Sequence, residues 1–124
     1  MKRALVTGGS GDIGRAICQR LARDGMQVIV HAYQHPERAA AAVDAIRITG
    51  GSAEVAAFDV ADEDQTRRIV TELLVAGPIQ VLVNNAGVHD DAPMAGMSSA
   101  QWRRVIDVCL HGFFNVTQPL LLPM

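Results

Sequence analysis

Short apolar runs alternate along the whole chain with longer stretches in which apolar residues recur at helical spacing. The runs are Ala4-Leu5-Val6, Val28-Ile29-Val30, Val55-Ala56-Ala57-Phe58 and Ile79 to Val83. Each is too short for a helix and is flanked by turn-forming residues, so each predicts a strand. Between them, helical spacing predicts a helix from about Ile13 to Arg23, which Asp24-Gly25 stops. An Ala-rich helix opens with Pro36 in its first turn and ends near Gly50-Gly51. Asp59 to Asp64 lead into a third, which runs through Val75. Gly77-Pro78 punctuates the chain before the fourth strand. A loop of Gly, Pro, Asp and Met comes next, then a helix from Ser98-Ser99 towards Thr117, with Pro119 marking its end.

The strands are apolar throughout instead of alternating, as parallel strands covered on both faces are. The pattern predicts an α/β fold, a Rossmann-type doubly wound parallel sheet. Right-handed crossovers put its strands in the order 3-2-1-4. The order breaks between strands 1 and 4, so a ligand is expected at their carboxyl ends, beside Thr7 to Gly14 and Asn84 to Gly87.

Composition narrows the function classes. With 124 residues, 49% hydrophobic but 4% aromatic, the chain suits small side chains packed between helices and a sheet. A formal charge of −2 gives no basic face for nucleic acid. No apolar stretch reaches membrane-spanning length, and Met1-Lys2-Arg3 leads into a run too short for a secretory signal. Cys18 and Cys109 make no C-x-x-C pair and read as free thiols of a cytoplasmic protein. His31, His35, His89 and His111 lack metal-ligand spacing.

The chemistry starts at Val6-Thr7-Gly8-Gly9-Ser10-Gly11-Asp12-Ile13-Gly14-Arg15. Gly9, Gly11 and Gly14 spell G-x-G-x-x-G; Thr7, Gly8 and Gly14 spell a wider pattern with Asp12 in place of its middle glycine. A glycine turn between a strand and a helix turns backbone N–H groups towards an anion at the positive end of the helix dipole. Its place after a first strand favours a dinucleotide, although S-adenosylmethionine enzymes also use glycine turns. No acid closes the second strand; Ala32 stands there.

A second motif, Asn84-Asn85-Ala86-Gly87, ends the fourth strand beside the glycine turn. Together with Thr7-Gly8 and Ile13-Gly14, with Asp59-Val60 after the third strand, and with Trp102 and Val105-Ile106-Asp107-Val108, it resembles the short-chain dehydrogenase/reductase family. In detail it looks like the bacterial 3-oxoacyl-(acyl-carrier-protein) reductases. The resemblance selects the wider glycine register and covers the entire chain.

It implies that Gly8, Gly9, Ser10, Gly11, Asp12, Ile13 and Gly14 surround a cofactor pyrophosphate and nearby ribose. Asp59 would accept from the adenine amino group, with Val60 beside the ring. Asn85, Ala86 and Gly87 would line the ribose and the centre of the groove. A carboxylate facing pyrophosphate would repel it, so Asp12 is expected to cap the first helix, with Gly11 supplying backbone freedom. With Ala32 offering no ribose-reading acid, NADPH is favoured over NADH, and His35 and Arg38 are candidates near a 2′-phosphate.

The family's catalytic Ser, Tyr and Lys lie beyond the fourth helix. Tyr33 and Lys2, the single tyrosine and lysine, are not placed to supply them. Cys109 holds the position of the family's catalytic Asn, and Asn115 reads as an ordinary helix-surface residue. Residues 1–124 are therefore read as one NAD(P)-binding domain, cut before its fifth strand and lacking reductase activity alone. The parent is expected to be a cytoplasmic homo-oligomer reducing a ketone, small or carrier-protein-linked, with a 3-oxoacyl thioester in fatty acid biosynthesis as the leading substrate. The alternatives are a non-catalytic nucleotide-binding or interaction module and an NAD-dependent alcohol or sugar dehydrogenase. Without a fifth strand the open sheet edge predicts association or aggregation. Met94 and Met97 read as loop packing.

Overall fold

The computed structural model describes residues 1–124. Four parallel strands, β1 (Arg3–Val6), β2 (Gln27–Ala32), β3 (Ser52–Ala57) and β4 (Val81–Val83), lie in the order β3-β2-β1-β4. Leu5 stands opposite Ile29 on one side and Leu82 on the other. Helices α1 (Asp12–Arg23), α2 (Pro36–Ile48) and α3 (Glu63–Leu74) make the crossovers. Beyond β4 a single turn at Met94–Gly96 precedes α4 (Ser99–Ile106), a π turn (Asp107–His111) and α5 (Gly112–Leu121). No helix is long and apolar enough to cross a membrane.

The central strands bury both faces, which is why they read as unbroken apolar runs. On one face Val6, Val28 and Val30 pack with Cys18 of α1 and with Ala39, Ala42, Val43 and Ile46 of α2. On the other, Leu5 and Ile29 pack with Val70 of α3 and Val116 and Leu120 of α5. The β3 edge departs from the expected pattern. Ala53 and Ala56 are buried, but Val55 is 38% exposed and Ala57 faces solvent, because an edge strand lacks cover on its outer side. Phe58 falls just outside β3 and Ile79 outside β4, yet both side chains are buried.

Arg3 was not legible as a core residue. It is nearly buried at the foot of β1, where its guanidinium donates to the Leu73 carbonyl at 2.9 Å, the Gly77 carbonyl at 2.6 Å and Gln27 Oε1 at 3.1 Å. It also pairs with Glu54 at 3.5 Å. Each guanidinium nitrogen thus has a partner, and burial is tolerated.

The final helix runs through Pro119 to Leu121, past its expected end. A proline inside a helix costs about 3 kcal/mol. Val116 and Leu120, three residues before it and one after, are fully buried, and each such side chain stabilises by about 1.5–3 kcal/mol. Packing wins. Gly112 opens α5 beside the loop after β3; a Cβ there would come within 2.8 Å of Val60 Cγ2.

Candidate functional site

The two sequence motifs meet where β1 and β4 end side by side. Thr7 is 1% exposed and its amide donates to the Val83 carbonyl at 3.1 Å. Its Oγ1 then accepts from the amides of both Asn85 and Ala86, each at 3.0 Å. One hydroxyl therefore stitches the Asn-Asn-Ala-Gly turn to the glycine turn. Asn85 adds a second stitch, its Nδ2 donating to the Gly8 carbonyl at 3.1 Å.

Gly8 needs to be glycine: its φ is +63°, and a Cβ would lie 3.0 Å from Ala86 Cα. Gly14 needs it for space. A Cβ there would overlap the Gly8 carbonyl oxygen and stand 2.8 Å from Asn85 Nδ2. Gly9 is buried over Val30 and Cys18. Gly11, Asp12 and Ile13 are exposed at the mouth of the turn, and Ser10 is half-buried.

Asp12 does not cap α1. Gly11 is the capping residue, no side chain bonds the first turn, and Asp12 is the first helical residue. Its carboxylate still favours that end of the helix through the dipole. Gly11 supplies no special freedom either, since its φ of −79° and ψ of 174° suit any residue.

On the other side of the groove the loop after β3 is held rigidly. The Asp59 amide donates to Gln65 Oε1 at 2.6 Å, and its carbonyl accepts from Thr66 Oγ1 at 3.0 Å. Asp59 Oδ1 accepts from the Ala61 amide at 3.0 Å, while Oδ2 has no protein partner. Asn115 is a correction: it is 7% exposed, not on the helix surface, and its Nδ2 donates to the Val60 carbonyl at 2.8 Å. Only the third dimension brings α5 against that loop.

His31, a histidine without metal-ligand spacing in the sequence, follows the apolar run of β2 as its penultimate residue. The ring is 3% exposed, its Nδ1 accepts from the Gly8 amide at 2.9 Å, and Nε2 donates to the Phe58 carbonyl at 2.7 Å. Those partners select the neutral tautomer protonated at Nε2. Burial lowers the pKa of His31 from 6.5, against smaller raising effects of the Phe58 carbonyl and the Asp59 charge. A folded pKa below the unfolded one means the unfolded chain takes up the proton first. His31 is therefore expected to make stability fall as pH drops below about 6.5, levelling off below the native pKa. Urea unfolding across that range, compared with a His31→Asn variant whose stability should fall less, checks this.

Gly8, Ser10, Ala32, Asp59, Ala86 and Gly87 line one groove of about 210 Å³, so both motifs and the loop after β3 border a single space. His35 reaches its wall, with Nδ1 3.1 Å from Glu37 Oε1. Arg38 is exposed and pairs with no carboxylate. Asp59 also borders an adjoining cavity of about 390 Å³ shared with Arg103 and Arg104.

Cys109 sits in the π turn, a device frequent at functional sites. Its thiol donates to the Val88 carbonyl at 3.6 Å and borders a cavity of about 90 Å³ with Thr7, Asn84 and Ala86. Cys18, by contrast, is buried and pushed up to about 11, which leaves it protonated and unreactive. Met94 is exposed, and with Met97 and Trp102 it borders a separate surface hollow.

Comparison with known proteins agrees with this arrangement. The chain is 44% identical over 119 residues to an acetoacetyl-CoA reductase of Allochromatium vinosum, covering 93% of this chain and 48% of that protein. It is 35% identical over 121 residues to the 3-oxoacyl-[acyl-carrier-protein] reductase FabG of Aggregatibacter actinomycetemcomitans, covering 97% and 50%. A crystal structure of a gluconate 5-dehydrogenase from Burkholderia cenocepacia, in complex with NADP and tartrate, superimposes with a TM-score of 0.90 at 34% identity. That match covers 98% of this chain and 48% of the other. The chain thus spans about half the length of the relatives it matches. The family model for short chain dehydrogenase matches residues 2–124, nearly the entire chain, and with strand order, glycine turn and Asn-Asn-Ala-Gly turn in place, the chain belongs to the short chain dehydrogenase family.

Proposed function

We propose that these residues form the cofactor-binding part of an NADPH-dependent ketone reductase acting on a 3-oxoacyl thioester. The observation that carries this reading is the single groove bordered by Gly8, Asp59 and Ala86-Gly87. It fits an adenine dinucleotide on three counts. The first turn of α1 spends no backbone donor on a side-chain cap, which leaves it open to an anion. Asp59 keeps Oδ2 free to accept an amino proton. A Cβ at Gly11 would meet nothing nearer than the Gly8 carbonyl at 3.6 Å, so the mouth of the turn is clear.

In this reading Asp59 receives the adenine, Val60 packs beside the ring, and Asn85, Ala86 and Gly87 line the ribose and groove centre. Gly8 and Gly14 shape the turn, and Gly9 to Ile13 surround the pyrophosphate. A bound nicotinamide cofactor supplies the hydride. Cys109, where the family carries an Asn, keeps a main-chain carbonyl at that position and offers a thiol in place of an amide.

The phosphorylated cofactor is favoured by Ala32, which places a methyl group where an acid would repel a 2′-phosphate. The NADP in the gluconate 5-dehydrogenase structure supports this. The exposed His35–Glu37 pair is not a barrier, since surface pairs contribute at most about 1 kcal/mol. The thioester substrate rests on the acetoacetyl-CoA and 3-oxoacyl reductases among the relatives. The gluconate 5-dehydrogenase likeness supports a second reading, oxidation of a sugar acid.

The test is NADPH oxidation by the full-length protein with acetoacetyl-CoA, against NADP reduction with gluconate. Turnover with gluconate alone would overturn the thioester reading, and turnover with neither would overturn the enzyme. Ala32→Asp is expected to weaken NADPH at least tenfold and narrow or reverse its advantage over NADH. Because Ala32 is 2% exposed, melting temperature is followed alongside. Unchanged selectivity in a folded variant would count against the cofactor assignment.

A further inference from the structure

We infer that His31 is a positioning residue for the nucleotide groove: it clamps the glycine turn to the adenine-side loop through two hydrogen bonds. The inference rests on the proposed nucleotide site and adds a residue that borders the groove but belongs to none of the motifs read there. The ring spans from the Gly8 amide, 2.9 Å from Nδ1, to the Phe58 carbonyl, 2.7 Å from Nε2. Gly8 follows β1 and Asp59 follows β3, the strands on either side of β2; both border the groove, and Phe58 is the residue before Asp59. One rigid ring thus fixes the separation of the two segments.

The other attachments of both segments make this spacing matter. The Gly8 carbonyl is held by Asn85 Nδ2 at 3.1 Å, so with His31 on its amide both polar groups of Gly8 are committed. On the far side, Asp59 and Val60 are held by Gln65 and Asn115. His31 is the piece that joins these two sets. Phe58 also packs on the ring, with centroids 4.3 Å apart. Around it, Asp59 acts on the ring by its charge, Tyr33 and His35 share the groove, and Cys18 of α1 lies beneath Gly9. On the far side of Asp59, α4 brings Arg103 and Arg104 and the π turn brings Asp107.

A clamp and a mere filler of the core predict opposite orders among variants. His31→Phe keeps a ring at a buried site and loses both hydrogen bonds. His31→Asn can still accept from the Gly8 amide, and His31→Gln can still donate towards the Phe58 carbonyl. As a clamp, His31→Phe should bind NADP at least tenfold more weakly than the wild type, with Asn and Gln in between. As a filler, Phe should bind like the wild type and the two amides worse.

The experiment measures dissociation constants for NADP and NAD at pH 8 by calorimetry on the full-length protein and the three variants. For active variants, KM for NADPH should rise while kcat stays close to that of the wild type. Imidazole nitrogen NMR of the wild type should show the neutral ring protonated at Nε2, a result independent of whether any variant folds. Wild-type affinity in His31→Phe, a kcat loss without a KM change, or a ring protonated at Nδ1 would overturn the clamp. Absence of NADP and NAD binding by the wild type would instead overturn the nucleotide site itself.

Discussion

Replacing Gly14 by alanine should abolish measurable NADPH binding and destabilise the fold, although alanine is the better helix former. The propensity gain is about 1 kcal/mol. Against it, the new Cβ would overlap the Gly8 carbonyl oxygen and stand 2.8 Å from both Asn85 Nδ2 and Gly9 Cα. Two of those atoms are backbone and the third is held by its own hydrogen bond, so none yields cheaply. Overpacking of this kind costs typically about 1–3 kcal/mol and occasionally more, and here it falls on the turn that shapes the groove. Affinity should fall at least a hundredfold. Gly11→Ala is the matched control, with an ordinary backbone conformation and 3.6 Å of clearance. Denaturant unfolding and NADPH titration of both variants check the contrast. Equal losses in the two, or none at Gly14, would refute the steric account.

The second large effect is expected at Thr7. Thr7→Val keeps the shape of a side chain that is 1% exposed but removes the acceptor shared by the Asn85 and Ala86 amides. Leaving a part-buried donor unpaired costs about 1–3 kcal/mol, and this falls on the Ala86 amide, since the Asn85 amide also donates to the Val83 carbonyl at 3.1 Å. Against a typical total of about 5–15 kcal/mol that is a large fraction. The Asn-Asn-Ala-Gly turn should also detach, raising KM for NADPH at least tenfold. Thr7→Ser retains the hydroxyl and should recover most of both losses. A valine variant as stable and as tight-binding as the wild type would show that the hydroxyl is dispensable.

Sequence alone carried the sheet because β1 and β2 are buried on both faces, and full burial writes an unbroken apolar run. The glycine turn and the Asn-Asn-Ala-Gly turn were legible for a related reason: their residue types answer to backbone geometry and close approach. Side chains whose role depends on a distant partner left no such mark. His31 looks like any polar residue at a strand end until Gly8 and Phe58 are brought to it. Asn115 has surface spacing by pattern, and only the approach of α5 to Val60 buries it. Arg3 opens β1 in the sequence with no sign of burial, yet it joins that strand to the Leu73 carbonyl of α3 and the Gly77 carbonyl just past it. Asp12 misled because acids suit both the cap and the first turn of a helix, and the choice was made by the extended backbone at Gly11. Helix continuation through Pro119 was decided by the residues buried around it.

The bond between Asn115 and the Val60 carbonyl makes a helix and a loop into one mechanical part. Gly112, one turn earlier, removes the Cβ that would hold them apart. The same helix follows the π turn that carries Cys109. Sliding α5 along its axis by even an ångström would therefore drag the seat of Val60 and shift the backbone at Cys109 in one stroke. The proposed adenine seat at Val60 and the backbone at Cys109 thus share one lever, a helix that contributes no side chain to the groove.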